Sequence, residues 1–332
     1  MERSSGVSIL HEAFRHNGSV VNDRETEQER PNFMQLFWRV ASGLSLVALT
    51  AISGTGLSIA EPLLDIGHHA RSAQPGEVVV IQVWPSEPVI SVQAVAFGAA
   101  VRFFQDVTGG VWSGIVGIDL ETRPGDYELA VRATLANGDT VRATYRLSVT
   151  PKEFPTRHLS VNPNFVNPPA DVLERIGREA ARQREIFQAS SPERQWEGGF
   201  LRPVSGNSTS SFGRRSVYNG EPRSPHSGTD FRAGEGTPVA APNGGTVVLV
   251  GNLYFSGNVV IIDHGWGLYS YFAHLSSTGV VEGETVKRGQ QVGTVGSTGR
   301  VTGPHLHWTV RLNDARVDPL SLMALLPMDQ EQ

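Results

Sequence analysis

The sequence has no cysteine among its 332 residues. This absence excludes a disulfide framework, a thiolate nucleophile and a cysteine-based zinc site, so a metal ion would have to be bound by histidine and carboxylate side chains. A strong excess of one charge is also lacking, because the formal net charge is -5. Nucleic-acid-binding domains usually carry a strongly basic face, so we exclude nucleic acid as a partner.

Long apolar runs are lacking as well, and none reaches the roughly 20 residues that a membrane-spanning helix needs. Glycine and proline are plentiful, with 36 and 20 residues, and they indicate many turns. This composition favours β structure over helical bundles. The length allows two domains, or one domain with export and linker segments.

Residues 1–60 have the pattern of a polar lead followed by a secretory or membrane-targeting signal. Arg39 stands before the apolar stretch 40–52, and the small residues Ser58 and Ala60 follow it as a candidate cleavage site. We therefore expect export to the periplasm, the cell envelope or the extracellular space.

Two other readings of this apolar stretch stay open, a buried core helix and an uncleaved membrane anchor. Gly43, Gly54 and Gly56 interrupt the helical pattern, and the apolar length is short for a membrane span. The polar lead is long for a signal, which would be explained if Met34 were the true start.

Residues 61–150 are predicted to form a small β-sandwich of the immunoglobulin-like type. The segments 127–136 and 140–149 alternate apolar and polar residues around Asn137 and Gly138, and Asn-Gly is a strong hairpin signal because its central residues favour positive φ. We expect this domain to act as a spacer, a wall-binding module or a cover for the next domain.

Residues 151–198 are predicted to be a proline-rich and helical linker. Its prolines should prevent regular strand pairing. Val172, Ile176 and Phe187 recur at roughly helical spacing, which predicts one helix that ends near Gln188.

Residues 199–326 contain short β runs between glycines, and they predict a compact antiparallel sheet. These runs are 246–250, 259–262, 268–272, 292–295 and 307–310. The fold class is therefore mainly β, with a sandwich, a helical linker and a second β domain.

Two pairs of polar residues in this region have the spacing of metal ligands. His226 and Asp230 are four residues apart, and in an extended chain both side chains project from the same face. His305 and His307 flank one residue of a predicted strand and also share a face. His226, Asp230 and one histidine of the second pair supply three N and O ligands, the number that a catalytic zinc uses when its fourth position is left to water.

The remaining histidine of the second pair and His274 are then available for proton transfer and for stabilising a developing oxyanion.

Six short motifs follow one another in residues 202–319. They are Ser211-Phe-Gly-Arg214, His226-Ser-Gly-Thr-Asp230, Asp263-His-Gly265, His274-Leu275, Gly296-Ser-Thr-Gly299 and Thr302-Gly-Pro-His-Leu-His307. In the order and spacing of these motifs, residues 202–319 resemble the lysostaphin-type, LytM-like zinc endopeptidases of bacterial peptidoglycan.

The resemblance implies an antiparallel LytM-like peptidase domain that binds one Zn²⁺ per chain and no other cofactor. The metal-ligand positions of the family match His226, Asp230 and His307. Its two catalytic histidines, which are not ligands, match His274 and His305. The expected partner is bacterial peptidoglycan, and we expect a monomer.

Three further positions can be set against the pattern of this family. His264 matches a position usually read as structural, so we expect it to form hydrogen bonds beside the site rather than to bind the metal. A tyrosine commonly stands two residues before the histidine that matches His274, whereas this chain has Phe272 there and Tyr271 beside it. Trp308 replaces the more usual phenylalanine after the final ligand.

The expected function is zinc-dependent hydrolysis of peptide cross-links or stem peptides in bacterial peptidoglycan. The alternative is a non-catalytic LytM-like regulator that binds and activates another cell-wall hydrolase. Such regulators typically lack some of the active-site histidines, and this chain has all five positions, which favours the enzyme. The bond that is cut, and which of His274 and His305 is the general base, stay open.

Overall fold

The computed structural model describes residues 63–105, 109–160, 168–209 and 211–325. The expected targeting segment, residues 1–60, lies outside this part of the chain. Among the residues described, no helix has both the length and the apolar content needed to cross a membrane.

The first seven strands form the predicted β-sandwich. They are β1 (Leu64–His69), β2 (Val78–Pro85), β3 (Val89–Ala96), β4 (Ala99–Gln105), β5 (Trp112–Gly117), β6 (Gly125–Leu135) and β7 (Thr140–Val149). They pair antiparallel in the order β1-β2-β5-β4-β3-β6-β7. Alternate residues point inward, and Ile81, Leu129 and Leu147 are completely buried between the layers. The expected sandwich-like β fold of this segment is confirmed.

The β6–β7 hairpin closes through a longer turn than the Asn-Gly signal suggests. Leu135 N–H donates to Asp139 O at 2.8 Å, so residues 136–138 form a three-residue loop. Gly138 takes a φ of 91°, and Asn137 is not in the left-handed region. A single left-handed glycine is typical of hairpin turns longer than two residues.

The linker contains the predicted helix and one unexpected strand. Helix α1 (Ala170–Gln188) ends at the residue expected. Strand β8 (Thr156–Leu159) pairs in parallel with β9 (Arg215–Tyr218), although the prolines were expected to prevent pairing. Pro155 precedes the strand rather than interrupting it, so no N–H is missing inside the paired segment.

The second half of the chain forms a large antiparallel sheet beside a small one. The remaining elements are β10 (Glu221–Pro222), β11 (Thr229–Phe231), β12 (Pro238–Ala240), β13 (Gly245–Leu253), β14 (Gly257–Gly265), β15 (Leu268–Thr278), β16 (Thr285–Val286), β17 (Gln291–Val295), β18 (Leu306–Leu312), β19 (Ala315–Val317) and α2 (Pro319–Leu325). The large sheet runs β11-β18-β15-β14-β13-β16, with β12 and β17 paired to each other, β17 also to β15, and β19 to β18. The predicted antiparallel sheet is confirmed.

Each face of the large sheet has its own packing partner. Phe272 and Trp308 point into a buried core that also contains Val78 and Ile115 of the sandwich. The opposite face packs against α1, where the Phe187 and Tyr269 rings lie 5.3 Å apart. Because one core is continuous across both sheets, the domain boundaries at residues 150 and 199 stay predictions.

Candidate active site

Asp230 and His307 meet because strand pairing places them directly opposite each other. Strand β11 pairs antiparallel with β18, and Asp230 is the register partner of His307. Residues opposite each other in such a pair hold their Cβ atoms about 5 Å apart, within reach of short polar side chains. Asp230 Oδ1 lies 3.0 Å from His307 Nδ1. A single cross-strand contact thus joins two residues that are 77 positions apart in the sequence.

His226 reaches the same carboxylate from the loop before β11. Its Nε2 lies 3.2 Å from Asp230 Oδ1, and its ring centroid is 4.7 Å from that of His307. On the other side of the ring, Nδ1 lies 3.1 Å from Ser211 O. A carbonyl only accepts, so Nδ1 carries the proton and Nε2 presents a lone pair.

The loop that carries His226 is held from both directions. Its own N–H donates to Arg214 O, and its carbonyl accepts from Gly213 N–H. Ser211 Oγ accepts the N–H of Asp230 at 3.1 Å. The segment around Ser211 therefore positions both members of the first predicted pair.

The second nitrogen of His307 also has a partner. Nε2 lies 2.9 Å from Thr309 Oγ1, two residues along the same face of β18. When Nε2–H donates to this hydroxyl, Nδ1 is left with a lone pair toward Asp230 and His226. The ligand-type atoms of His226, Asp230 and His307 all lie within 4.8 Å of one another.

This donor set fits a metal ion. Two imidazole nitrogens and one carboxylate oxygen are a combination that zinc accepts in catalytic sites. The second nitrogen of each histidine has a hydrogen-bond partner that selects the tautomer, as metal-binding histidines usually require. Of the five predicted site residues, the three expected ligands form the cluster.

His305 lies directly before β18, the strand that carries His307. Its Nε2 is 3.8 Å from Asp230 Oδ1, farther than the nitrogens of the other two histidines. Its Nδ1 lies 2.9 Å from Gly303 O, to which it donates. His305 therefore borders the cluster.

His274 enters the site through a β-bulge. The β14–β15 register shifts at this point, and His274 has a φ of 65°, in the left-handed region. Bulges often redirect side chains beside active sites. Its N–H donates to Ser256 O at 2.9 Å, and its Nδ1 donates to Thr298 O at 2.9 Å. The His274 ring centroid lies 5.0 Å from that of His305.

Burial and charge shift the ionisation of the site. Burial by itself would raise the pKa of Asp230, but the adjacent imidazoles of His226 and His307 hold that pKa far below its usual value. Burial, and next the proximity of His307, lower the pKa of His274 to about 3. Burial also lowers the pKa of His307. The site thus favours an anionic Asp230 carboxylate beside a neutral His307 imidazole, the forms that bind a cation.

His264 is placed as expected, away from the cluster and in hydrogen bonds. It is completely buried, with Nδ1 at 2.6 Å from Gly244 O and Nε2 at 2.9 Å from Ser270 Oγ. Ser270 also accepts the indole N–H of Trp308 at 3.1 Å. Burial lowers the pKa of His264 to about 4. His264 therefore connects β15 to Gly244, the residue directly before β13.

The aromatic positions beside His274 face different ways. Phe272 lies in the interior core and is completely buried, on the face opposite the site. Tyr271 lies on the same face as Ala273 but is only 7% exposed, and burial raises the pKa of its hydroxyl.

Sequence reasoning missed the roles of Thr309, Thr298 and Ser211. The contact of Thr309 could have been predicted, because Thr309 stands two residues after the candidate ligand His307 on a predicted strand and so lies on the same face. Thr298 and Ser211 lie within quoted motifs, but nothing local shows which side chain each one contacts.

The geometry defines a candidate metal-dependent hydrolytic centre, and comparison with known proteins gives the family. Residues 224–319 match Peptidase family M23. A structure assigned to peptidase M23 from Pseudomonas aeruginosa is 38% identical, with a TM-score of 0.61, over 76% of this chain and 96% of the other. The chain belongs to peptidase family M23.

Two curated relatives are similar over the same region. Peptidoglycan DD-endopeptidase ShyA of Vibrio cholerae is 43% identical over 104 residues, which are 31% of this chain and 24% of the relative. DD-carboxypeptidase/endopeptidase Mpg of Neisseria meningitidis is 43% identical over 102 residues, also 31% and 24%. The match spans about a quarter of the length of these relatives.

Proposed function

We propose that this protein is a zinc-dependent endopeptidase that hydrolyses peptide cross-links or stem peptides of bacterial peptidoglycan. The observation that carries the proposal is the convergence of His226, Asp230 and His307 on one point, with His274 and His305 beside them. The name of the DD-endopeptidase relative supports the substrate class.

The zinc ion would be held by the two imidazoles and the carboxylate. When bound, zinc lowers the pKa of a water molecule and polarises a carbonyl oxygen, chemistry suited to amide hydrolysis. Asp230 holds the negative charge that a cation needs, and the adjacent imidazoles of His226 and His307 lower its pKa, so it stays ionised.

His274 and His305 would manage the protons. Each donates its Nδ1–H to a main-chain carbonyl, Thr298 O and Gly303 O, which fixes the tautomer and leaves Nε2 as the basic nitrogen. One ring can accept the proton of the attacking water, and the other can stabilise the oxyanion or protonate the leaving amine. Glycan cleavage usually needs two carboxylates about 5 to 10 Å apart, and the described cluster has one.

The test is digestion of purified cross-linked peptidoglycan by the zinc-loaded protein, with mass analysis of the released fragments. We expect new amino termini, which should be absent with a chelator and with His305→Ala. New reducing sugar ends would contradict the proposed chemistry. No cleavage across several wall types would favour the alternative, a regulator of another wall hydrolase.

We also propose that the protein works outside the cytoplasm, where peptidoglycan lies. The support is the pattern of Arg39, the apolar stretch 40–52 and the small residues before Glu61. Amino-terminal sequencing of protein from cells should find a start near Glu61. An intact Met1 or Met34 terminus in the cytoplasmic fraction would contradict this.

A further inference from the structure

The outer face of the sandwich carries a row of basic side chains that crosses four strands. Gln93 of β3 is the register partner of Arg102 on β4 and of Arg132 on β6. Arg132 is in turn the partner of Arg142 on β7. All four residues are exposed. The row therefore presents three guanidinium groups and one amide along one line of the surface.

Among the described residues, no carboxylate pairs with Arg132 or Arg142 of this row. Like charges directly opposite each other destabilise a strand pair, and Arg132 faces Arg142. Within the part of the chain that the structure describes, neither arginine forms an ion pair with a carboxylate, and Arg102 donates to the carbonyl of Pro192. The whole chain has a net charge of -5, so the row is a local exception.

A neighbouring arginine on the same face, unlike the row, has acidic residues close to it. Arg146 is the register partner of Glu128 and lies 3.9 Å from Asp126, so the fold supplies it with opposite charge. In the part of the chain that the structure describes, no ion pair joins Arg132 or Arg142 to a carboxylate, which points to a ligand from outside the chain.

A shallow groove of about 700 Å³ runs beside the row. Its floor is made of the small side chains Ala100, Ala130 and Thr144, and the exposed Val95 lies between them. Val95 is 50% exposed. Since strands lie about 4.8 Å apart, four strands give a groove about 14 Å long, enough for a few units of a linear polymer.

We propose that this groove binds peptidoglycan through the free carboxylates of its stem peptides. Guanidinium groups bind carboxylates in a bidentate manner, Gln93 can bind an amide, and the small apolar floor accepts alanine methyl groups and sugar rings. The partner's identity rests on the proposed function, whereas the anionic, partly apolar character of the ligand rests on the groove itself. The sandwich would thereby hold the enzyme on insoluble wall.

The test is cosedimentation of the full chain with purified insoluble peptidoglycan, in the His305→Ala background so that the wall is not digested. Replacing both Arg132 and Arg142 by Gln should raise the dissociation constant about tenfold or more. Arg146→Gln, on the same strand and face, is the matched control and should change it less than about twofold. Equal losses in the control and the double variant would overturn the proposed site.

A second arm uses the unaltered groove. Wall material whose carboxylates have been converted to amides should bind the His305→Ala protein about tenfold or more weakly than native wall does. Undiminished binding to amidated wall would overturn the proposal. This comparison does not depend on the folding of the arginine variants. In the first arm, a double variant that loses affinity for double-stranded DNA but not for wall would also overturn the proposal.

Digestion assays distinguish a failure of the proposed binding groove from a failure of the proposed peptidase function. In the otherwise native chain, the two Gln substitutions should slow digestion of insoluble wall and leave digestion of soluble cross-linked fragments unchanged. Arginine-dependent binding without any cleavage would refute the peptidase proposal alone. Cleavage with binding that does not depend on the arginines would refute the groove alone.

Discussion

The side chains of Arg71 and Asp318 form an ion pair with 2.8 Å between Nη2 and Oδ2, although 247 residues separate them in the sequence. Arg71 also donates to both carboxylate oxygens of Glu77, which is 1% exposed. The other oxygen of Asp318 accepts from Thr229 Oγ1 at 3.1 Å. Since Thr229 directly precedes Asp230, the sandwich is connected to the strand that carries a proposed ligand.

Removing Arg71 should weaken this connection. Arg71→Ala leaves two buried or nearly buried carboxylates with fewer partners, and we expect a loss of about 2 to 3 kcal/mol in the free energy of unfolding. Urea unfolding measures it. Arg146→Ala removes an exposed arginine 3.9 Å from Asp126 and should cost less than about 1 kcal/mol. Similar losses in both variants would show that the Arg71 network is not a stabilising contact.

Stability should also depend on the ionisation of Glu77. Burial alone would raise its pKa, but hydrogen bonds from Arg71 and Lys152 lower it below the usual value. A lowered folded-state pKa stabilises the fold above the unfolded pKa of about 4.3, and this stabilisation is lost as the pH falls toward the folded-state value. The free energy of unfolding of wild type relative to Glu77→Gln should therefore be constant near neutral pH and shrink below pH about 4.3. A difference that grows on acidification would contradict this sign.

Measurement of metal content should separate the proposed zinc ligands from the proposed general acid or base. Asp230→Ala and His307→Ala should lose zinc, because both are proposed ligands. His274→Ala should keep zinc and lose about 10²- to 10⁴-fold in turnover, the usual contribution of a general acid or base. His69→Ala, in the exposed part of β1, is the control and should change neither. Equal zinc loss in the His274 and His307 variants would refute this division.

Gly228 should be required for the metal centre although it bears no ligand atom. A Cβ at this position would lie 2.6 Å from Trp308 O and 2.8 Å from His307 Cε1. Gly228→Ala should therefore displace the ligand ring and weaken zinc binding about tenfold or more, which titration against a chromogenic chelator would measure. Gly177→Ala is the matched control, because no atom lies within 4 Å of its added Cβ. Unchanged zinc affinity in both variants would show that the chain around Gly228 can move away from β18 without disturbing the metal centre.

The bulge at His274 should tolerate asparagine better than valine. Its φ of 65° lies in the left-handed region, which Asn enters readily and β-branched residues avoid. His274→Val should lower the free energy of unfolding by about 1 to 3 kcal/mol more than His274→Asn. Urea unfolding of the two variants compares them without reference to activity. Equal stability would mean that the bulge relaxes when the side chain is changed.

Much of the fold follows from local periodicity. The alternation in 127–136 and 140–149 predicted the β6–β7 hairpin, and the recurrence of Val172 and Ile176 predicted α1. The parallel pairing of β8 with β9 did not follow, because its partner lies far along the chain and the flanking prolines argued against a strand. Local signals identify elements, whereas long-range pairing depends on which surfaces are buried together.

The candidate site, too, could be predicted only in part from local sequence signals. The spacing of His305 and His307 placed both on one side of a strand, and the order of the motifs indicated the family and its ligand types. Only the tertiary structure decided that Asp230 lies opposite His307, that a bulge turns His274 toward them, and that Arg71 reaches Asp318. Spacing along a strand determines which face a side chain occupies, because that geometry is local. Strand register and bulges are set by the packing of a core that segments distant in sequence build together, and that packing cannot be read from any one of them.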